Sequence, residues 1–160
     1  MSGDLRLYLI RHGEAGSAIR DDLRELTSEG RERVRDNCHV ARERMPEAVE
    51  TLVASPYVRA LQTAAIVHQA WPRQGGASPF LVDHCLVPSG SVYDVVRFVD
   101  GLPPAAWPVA LVGHQPLMGT LLAWLTDRPE LAGTVATAAI SALTLTAFVE
   151  GGGSLDWQVC

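Results

Sequence analysis

The chain contains no lysine, and all thirteen of its basic residues are arginine. Every cation is therefore a planar fork suited to bidentate contact with an oxyanion, so any anion site must be built from arginine. Cysteine is scarce as well. The three present, Cys38, Cys85 and Cys160, are scattered and odd in number, which suggests neither a disulfide framework nor a CxxC metal pair and fits a reducing cytoplasm. Long hydrophobic runs are missing: the longest, Val135 to Val149, is dotted with threonine and serine and falls short of the ~20 residues of a membrane span. It reads as a buried strand with its approach. The first apolar segment, Leu7 to Ile10, lies between charged residues without a basic region before it or a small-residue cleavage site after it, so a secretory leader is not expected. Nor is there a basic surplus. A net charge of −5 argues against a nucleic-acid or membrane-surface binder, because such proteins draw much of their affinity from excess cations.

What is present suffices for one core. With 160 residues, 48% of them hydrophobic, the chain is close to the ~150 residues typical of a domain. A single domain over residues 1–160, acting as a monomer, is expected.

The stretch Leu7-Tyr8-Leu9-Ile10-Arg11-His12-Gly13-Glu14 carries an apolar strand, Leu5 to Ile10, into an arginine and a histidine and then a glycine. Glu14 to Leu26 has no periodicity and reads as a long loop. Thr27 is a plausible N-cap for a helix from about Ser28 to Arg44, with Val34, Cys38 and Ala41 on its apolar face. Thr51 to Ala54 reads as a second strand. Pro56 is expected to open the helix that follows, which runs to about Ala70 and places Arg59 in its first turn, near free backbone N–H groups. Trp71 to Ser78 reads as a connection and Pro79 to Val82 as a third strand. A short amphipathic helix follows over Ser91 to Val99, capped by Ser89 or Ser91, and then a proline-rich break over Gly101 to Pro108. Val109 to Val112 is apolar throughout, as in the middle of a parallel sheet. It ends at Gly113-His114-Gln115-Pro116, before a helix from Leu117 to about Thr126. Ile140 to Phe148 and Leu155 to Val159, around Gly151-Gly152-Gly153, read as a closing hairpin.

Strands alternating with helices predict a three-layer α/β sandwich: a mostly parallel central sheet flanked by helices, with C-terminal hairpin strands. Three strand ends carry Arg11-His12, Arg59 and His114. Parallel strands end on one edge, where ligands of such sheets bind, so these four side chains can converge in one crevice.

These residues resemble the histidine phosphatase superfamily, also called the phosphoglycerate mutase-like fold. The resemblance rests on Arg11-His12-Gly13, on Arg24-Glu25-Leu26-Thr27-Ser28-Glu29-Gly30, on Ser55-Pro56-Tyr57-Val58-Arg59-Ala60-Leu61-Gln62-Thr63-Ala64 and on Gly113-His114. Within the superfamily, the small size, the Leu-Thr-x-x-Gly segment, Pro88-Ser89-Gly90 and Asp156-Trp157-Gln158 look most like the SixA branch of phosphohistidine phosphatases. The resemblance implies a phosphatase that acts without metal or cofactor, on a phosphohistidine-bearing signalling domain such as a histidine-containing phosphotransfer domain.

The chemistry of the residues agrees with this. Phosphoryl transfer is mainly positioning and electrostatic stabilisation of charge on the equatorial oxygens. Arg11 and Arg59 supply bidentate donors and His114 a third, while His12 is the candidate nucleophile, becoming a phosphohistidine that water hydrolyses. His12 must then be neutral, and two neighbouring guanidinium groups are expected to depress its pKa from ~6.5. Its other ring nitrogen is expected to donate to a backbone carbonyl, which fixes the tautomer. Arg24, matching the family's segment, either adds a rim contact to phosphate or pairs with Asp21 or Asp22.

At the general acid the sequence departs from much of the superfamily. Acid-phosphatase members carry aspartate directly after the second histidine, where this chain has Gln115, and mutase members carry a glutamate after the third strand, where it has Leu86 to Gly90. Glu14 is the nearest candidate acid, but a carboxylate there could equally hold an arginine. Imidazole leaves as a neutral base if its distal nitrogen is already protonated, so a site without an acid tolerates phosphohistidine better than a phosphomonoester.

His39, His68 and the His84-Cys85 pair have no partner at ligand spacing, so no metal site is expected. Trp71, Trp107, Trp124 and Trp157 read as packing residues. Two alternatives stand beside the protein phosphatase: a phosphatase for small phosphomonoesters, and a non-catalytic phosphate- or phosphoprotein-binding module. Retention of His12 weighs against the last, since arginines alone suffice for binding.

Overall fold

A computed structural model describes residues 3–72 and 80–160. Most of the connection expected between Trp71 and Ser78, and Pro79 at the head of the third strand, lie outside the described residues. In chain order the elements are β1 (Leu5–Arg11), α1 (Ser28–Arg44), β2 (Thr51–Ala54), α2 (Val58–Ala70), β3 (Leu81–Val82), α3 (Val92–Asp100), β4 (Val109–Gly113), α4 (Leu117–Thr126), β5 (Ile140–Leu145) and β6 (Gly153–Val159). The strands form one sheet in the order β3-β2-β4-β1-β5-β6. β1, β2, β3 and β4 run parallel, and β5 and β6 close the other side as antiparallel neighbours.

Alternation along the strands divides the core between the two faces, because successive side chains of a strand point to opposite sides. Tyr8, Ile10, Leu52, Ala54, Ala110 and Val112 pack with Val34, Cys38 and Ala41 of α1 and Ala60, Ala64 and Val67 of α2. Leu7, Leu9, Val53, Val109 and Leu111 face Val95 and Val99 of α3 and Leu117, Leu121, Leu122 and Leu125 of α4. All five residues of β4 are buried, as its unbroken apolar run predicts. Burial of a large aliphatic side chain contributes roughly 1.5–3 kcal/mol, so this pair of layers carries much of the driving force for folding.

Local signals set the helix ends. The Thr27 side chain accepts from Gly30 N at 2.9 Å. Ser91 and Asp94 form a reciprocal capping box at the head of α3, which settles the choice between Ser89 and Ser91. The N-terminal turn of α1 and the segment after β1 approach closely through two glycines. A Cβ on Gly30 would collide with the Glu14 carbonyl, and one on Gly13 would lie 2.8 Å from Val34 Cγ2 and 2.9 Å from the Gly30 carbonyl.

Two expectations are corrected. Pro56 does not open α2. It stands before the N-cap Tyr57, because Tyr57 N donates to Ser55 Oγ at 3.3 Å and keeps the intervening residues in a turn. The third strand is only two residues long and half exposed, as befits the edge of the sheet. The long loop after β1 also contains a 3-10 turn over Asp21–Leu23.

Candidate active site

Sheet register lines up the residues beyond the strands. Arg11 of β1 stands opposite Gly113 of β4, and Ala54 of β2 opposite Val112, so His12, His114 and Ser55 follow side by side at the carboxyl edge. His12 N donates to the Gly113 carbonyl at 3.0 Å and Ser55 N to the Val112 carbonyl at 3.0 Å, which continues the ladder past the strands. The His12 and His114 rings are 5.0 Å apart between centroids.

Each imidazole is buried and fixed. His12 Nδ1 lies 2.7 Å from the Gly13 carbonyl, the carbonyl contact expected from the sequence. Arg59, whose side chain is also buried, donates from Nε to His12 Nε2 at 3.3 Å. A carbonyl only accepts and a guanidinium only donates, so Nδ1 carries the proton and Nε2 the lone pair. Burial pushes the His12 pKa down from 6.5 to about 4, with the Arg59, Arg11 and Arg24 charges acting in the same direction and the Gly13 carbonyl opposing. The expected direction is correct, but its leading cause is desolvation rather than the arginines. His114 Nε2 lies 2.8 Å from Ser55 Oγ, and burial first, then the nearby His12 ring, with which it cannot readily share positive charge, and the Arg59 and Arg11 charges lower its pKa to about 3, with Asp21 opposing.

The structure brings Arg59, His12 and His114 together, and the Arg11 charge acts on both imidazoles. Arg11 Nη1 donates to the Val135 carbonyl at 2.9 Å, while its Nε and His114 Nδ1 are buried and have no hydrogen-bond partner among the described residues. Arg24 is held by the loop. Its Nε donates to the Gly16 carbonyl at 2.7 Å, its Nη2 to the Ala15 carbonyl at 3.3 Å and its Nη1 to Asp21 Oδ1 at 3.1 Å. Arg24 thus makes the expected ion pair with Asp21. Glu14 is exposed, and its carboxylate accepts from Thr27 Oγ1 at 3.1 Å. Gln115 spans the start of α4, donating to the Ala132 carbonyl at 3.0 Å and accepting from Gly119 N at 2.6 Å.

Four contributors were not singled out by sequence reasoning. Ser55 anchors His114. The Tyr57 ring meets the His114 ring edge-on at 5.1 Å and lies 5.1 Å from the Arg59 guanidinium carbon. Thr63 Oγ1 accepts from Gly13 N at 3.1 Å and donates to the Arg59 carbonyl at 2.8 Å, tying α2 to the turn after β1. Asp21 accepts from Arg59 Nη1 through its carbonyl at 2.6 Å and from Nη2 through Oδ2 at 3.1 Å. Ser55, Tyr57 and Thr63 sit inside the quoted motif, so the signal was at hand. Asp21 had no local signal toward Arg59. Among the described residues, no group of three or more His, Cys, Asp or Glu is arranged to hold a metal ion, and no helix is long and apolar enough to cross a membrane.

Buried imidazoles beside arginine forks, at the carboxyl edge of a largely parallel sheet, define an α/β protein equipped to handle phosphoryl groups. The model of the histidine phosphatase superfamily, branch 1, matches residues 7–82. The protein histidine phosphatase SixA, solved with tungstate, is 30% identical, with a TM-score of 0.81 over 97% of this chain and 96% of that one. A structure from Nakamurella multipartitia assigned to SixA is 26% identical, with a TM-score of 0.80 over 99% and 96% of the two chains. A further SixA-assigned structure, from Agrobacterium tumefaciens, shares the fold at 19% identity and a TM-score of 0.78 over 99% of each chain. Comparison with curated proteins finds no match. The chain belongs to the histidine phosphatase superfamily, whose hydrolases work through a catalytic histidine.

Proposed function

We propose that the chain is a metal-independent phosphohistidine phosphatase in which His12 is the nucleophile. The observation that carries this reading is the state of His12: a neutral imidazole with its proton on Nδ1 and its lone pair on Nε2, beside the Nε of Arg59. His12 Nε2 forms a bond to phosphorus as the bond from phosphorus to the substrate's imidazole nitrogen breaks. Arg59, Arg11 and His114 bind the equatorial oxygens, for which Arg11 Nε and His114 Nδ1, without a partner among the described residues, are suited. Water then attacks the phosphohistidine, releasing phosphate and restoring His12, its proton passing to the product or to solvent.

The substrate class follows from the acid. Among the described residues, the carboxylate hydrogen-bonded to a group of the site is Asp21, and Arg24 first, then Arg59, hold it below the usual carboxylate range. It is ionised at neutral pH and has no proton to give. The Gln115 amide is committed to α4, and Glu14 to Thr27. An imidazole leaving group needs acid assistance least, because it departs neutral when its distal nitrogen is protonated. The resemblance to SixA points the same way, and a histidine-containing phosphotransfer domain is the substrate we infer.

Wild type and His12→Ala, each incubated with a phosphohistidine-bearing domain and with an aryl phosphate, provide the test. Wild type releases phosphate from the phosphodomain, an acid-labile phosphoenzyme forms on His12, EDTA changes nothing, and His12→Ala is inert. Absence of turnover with either substrate would sink the enzyme reading. Fast aryl phosphate cleavage without action on the phosphodomain would move the substrate to small phosphomonoesters.

A further inference from the structure

Asp21 reaches the site from the 3-10 turn in the loop after β1. Its side chain is 57% exposed, whereas that of Arg59 is 5% exposed, so a surface carboxylate holds a buried arginine. The manner of the hold matters. Nη1 and Nη2 form the terminal edge of a guanidinium group, and Asp21 takes both, one through its backbone carbonyl and the other through Oδ2. Nε lies on another edge, and that is the nitrogen in contact with His12 Nε2. Asp21 is fixed in turn: its Oδ1 accepts from Arg24, which the Ala15 and Gly16 carbonyls hold. A continuous chain of hydrogen bonds thus runs from the loop backbone through Arg24, Asp21 and Arg59 to His12.

The geometry points to Asp21 as a positioning residue, which clamps the terminal edge of Arg59 and leaves its Nε edge to receive phosphoryl oxygens beside the His12 lone pair. This rests on the reading of His12 and Arg59 given above. Asp21 itself touches no reacting atom. A guanidinium group has five N–H donors in a rigid fork, so fixing one edge orients the other.

Charge alone predicts the opposite effect, and this makes the inference testable. A carboxylate beside an oxyanion site repels the incoming anion, so its removal by charge alone would tighten binding. Removal of a clamp loosens it.

Asp21→Ala, Asp21→Asn and Asp22→Ala in the full chain separate these effects. Asp22 pairs with Arg20 at the surface, so its loss removes the same charge from the same loop without touching Arg59. Tungstate affinity by calorimetry, kcat and KM on whichever of the phosphohistidine-bearing domain and the aryl phosphate wild type turns over, and the thermal midpoint are the readouts. Asp21→Ala is expected to weaken tungstate binding and to lower kcat/KM, each on the order of tenfold or more, because small misplacements of a gripping group are costly. Asp21→Asn, which keeps an amide oxygen as acceptor, falls between Ala and wild type, and Asp22→Ala stays within about twofold of wild type, as expected for a surface pair. Unchanged or tighter tungstate binding by Asp21→Ala with an intact midpoint overturns the inference, as does an equal loss in Asp22→Ala. Wild type that neither binds tungstate nor turns over phosphate esters or phosphohistidine overturns the functional reading itself.

Discussion

Arg59 Nε donates to His12 Nε2 at 3.3 Å, so the guanidinium group nearest the imidazole lone pair is held against the nitrogen that would attack phosphorus. The contact is long and both side chains are buried. An entering phosphoryl group can exchange it for charge-assisted bonds to its own oxygens, which are stronger. The proposed nucleophile and the proposed grip are thereby brought within a few ångströms of each other before any substrate arrives, which is the preorganisation that phosphoryl transfer requires.

The protonation state of His12 is the first consequence to check. With its pKa near 4, the imidazole in the free protein stays neutral from pH 8 to about 5, and Nδ1 keeps the proton throughout. Nitrogen-15 NMR of the side chain should show no titration in that range. A midpoint near the ordinary ~6.5 would contradict the assignment.

Stability depends on pH through the same two rings. His12 and His114 have folded values of about 4 and about 3 against 6.5. Both are depressed, so the unfolded chain binds protons more readily at acid pH. Their contribution is complete above about 6.5 and is lost as pH falls through the window down to the folded values. Urea midpoints measured from pH 7 to pH 4 should fall steadily, and Asn in place of His114 should flatten the slope.

Arg59→Lys keeps the charge but loses the fork. Lysine is a point charge and cannot hold Asp21, His12 and two phosphoryl oxygens at once. kcat/KM on either substrate should drop by roughly a hundredfold or more, comparable to removing one preorganised oxyanion donor. Steady-state kinetics with circular dichroism as a check on folding will show it.

Ser55→Ala leaves His114 Nε2 without its partner at a position with no solvent access. An unsatisfied buried polar group costs roughly 1–3 kcal/mol, so the denaturant midpoint should fall accordingly. kcat should fall too, since the ring that faces His12 is then free to turn.

Gly30→Ala tests the close approach of α1 to the turn after β1. The added methyl collides with the Glu14 carbonyl, a backbone atom that cannot swing away. Overpacking of this kind costs about 1–3 kcal/mol or more, and it should also disturb His12 through Gly13. Gly133→Ala, where nothing lies within 4 Å, is the control and should stay within about 0.5 kcal/mol of wild type. Thermal denaturation of both variants decides it.

Much of the fold was legible because its signals are local. Thr27 caps α1, Thr51–Ala54 is β2 and Leu117–Thr126 is α4, each at the boundaries that periodicity and capping residues predict. The departures arise where a side chain recruits a neighbouring backbone, as Ser55 does in delaying α2 past Pro56. The candidate site divides in the same way. His12, Arg59 and His114 could be named from their places at strand ends, whereas Asp21 could be seen only as a partner of Arg24.

By itself the sequence determined the order of the elements, many of their ends and the residue types that the carboxyl edge would carry, since helix caps, alternation and turn residues act over a few positions. Only the tertiary structure decided that β4 lies between β1 and β2, which sets His114 against both His12 and Ser55. It also decided that Asp21 closes on Arg59 and that desolvation, more than the arginines, keeps His12 neutral. Those outcomes depend on burial and on contacts between distant segments, and neither leaves a mark on residue spacing.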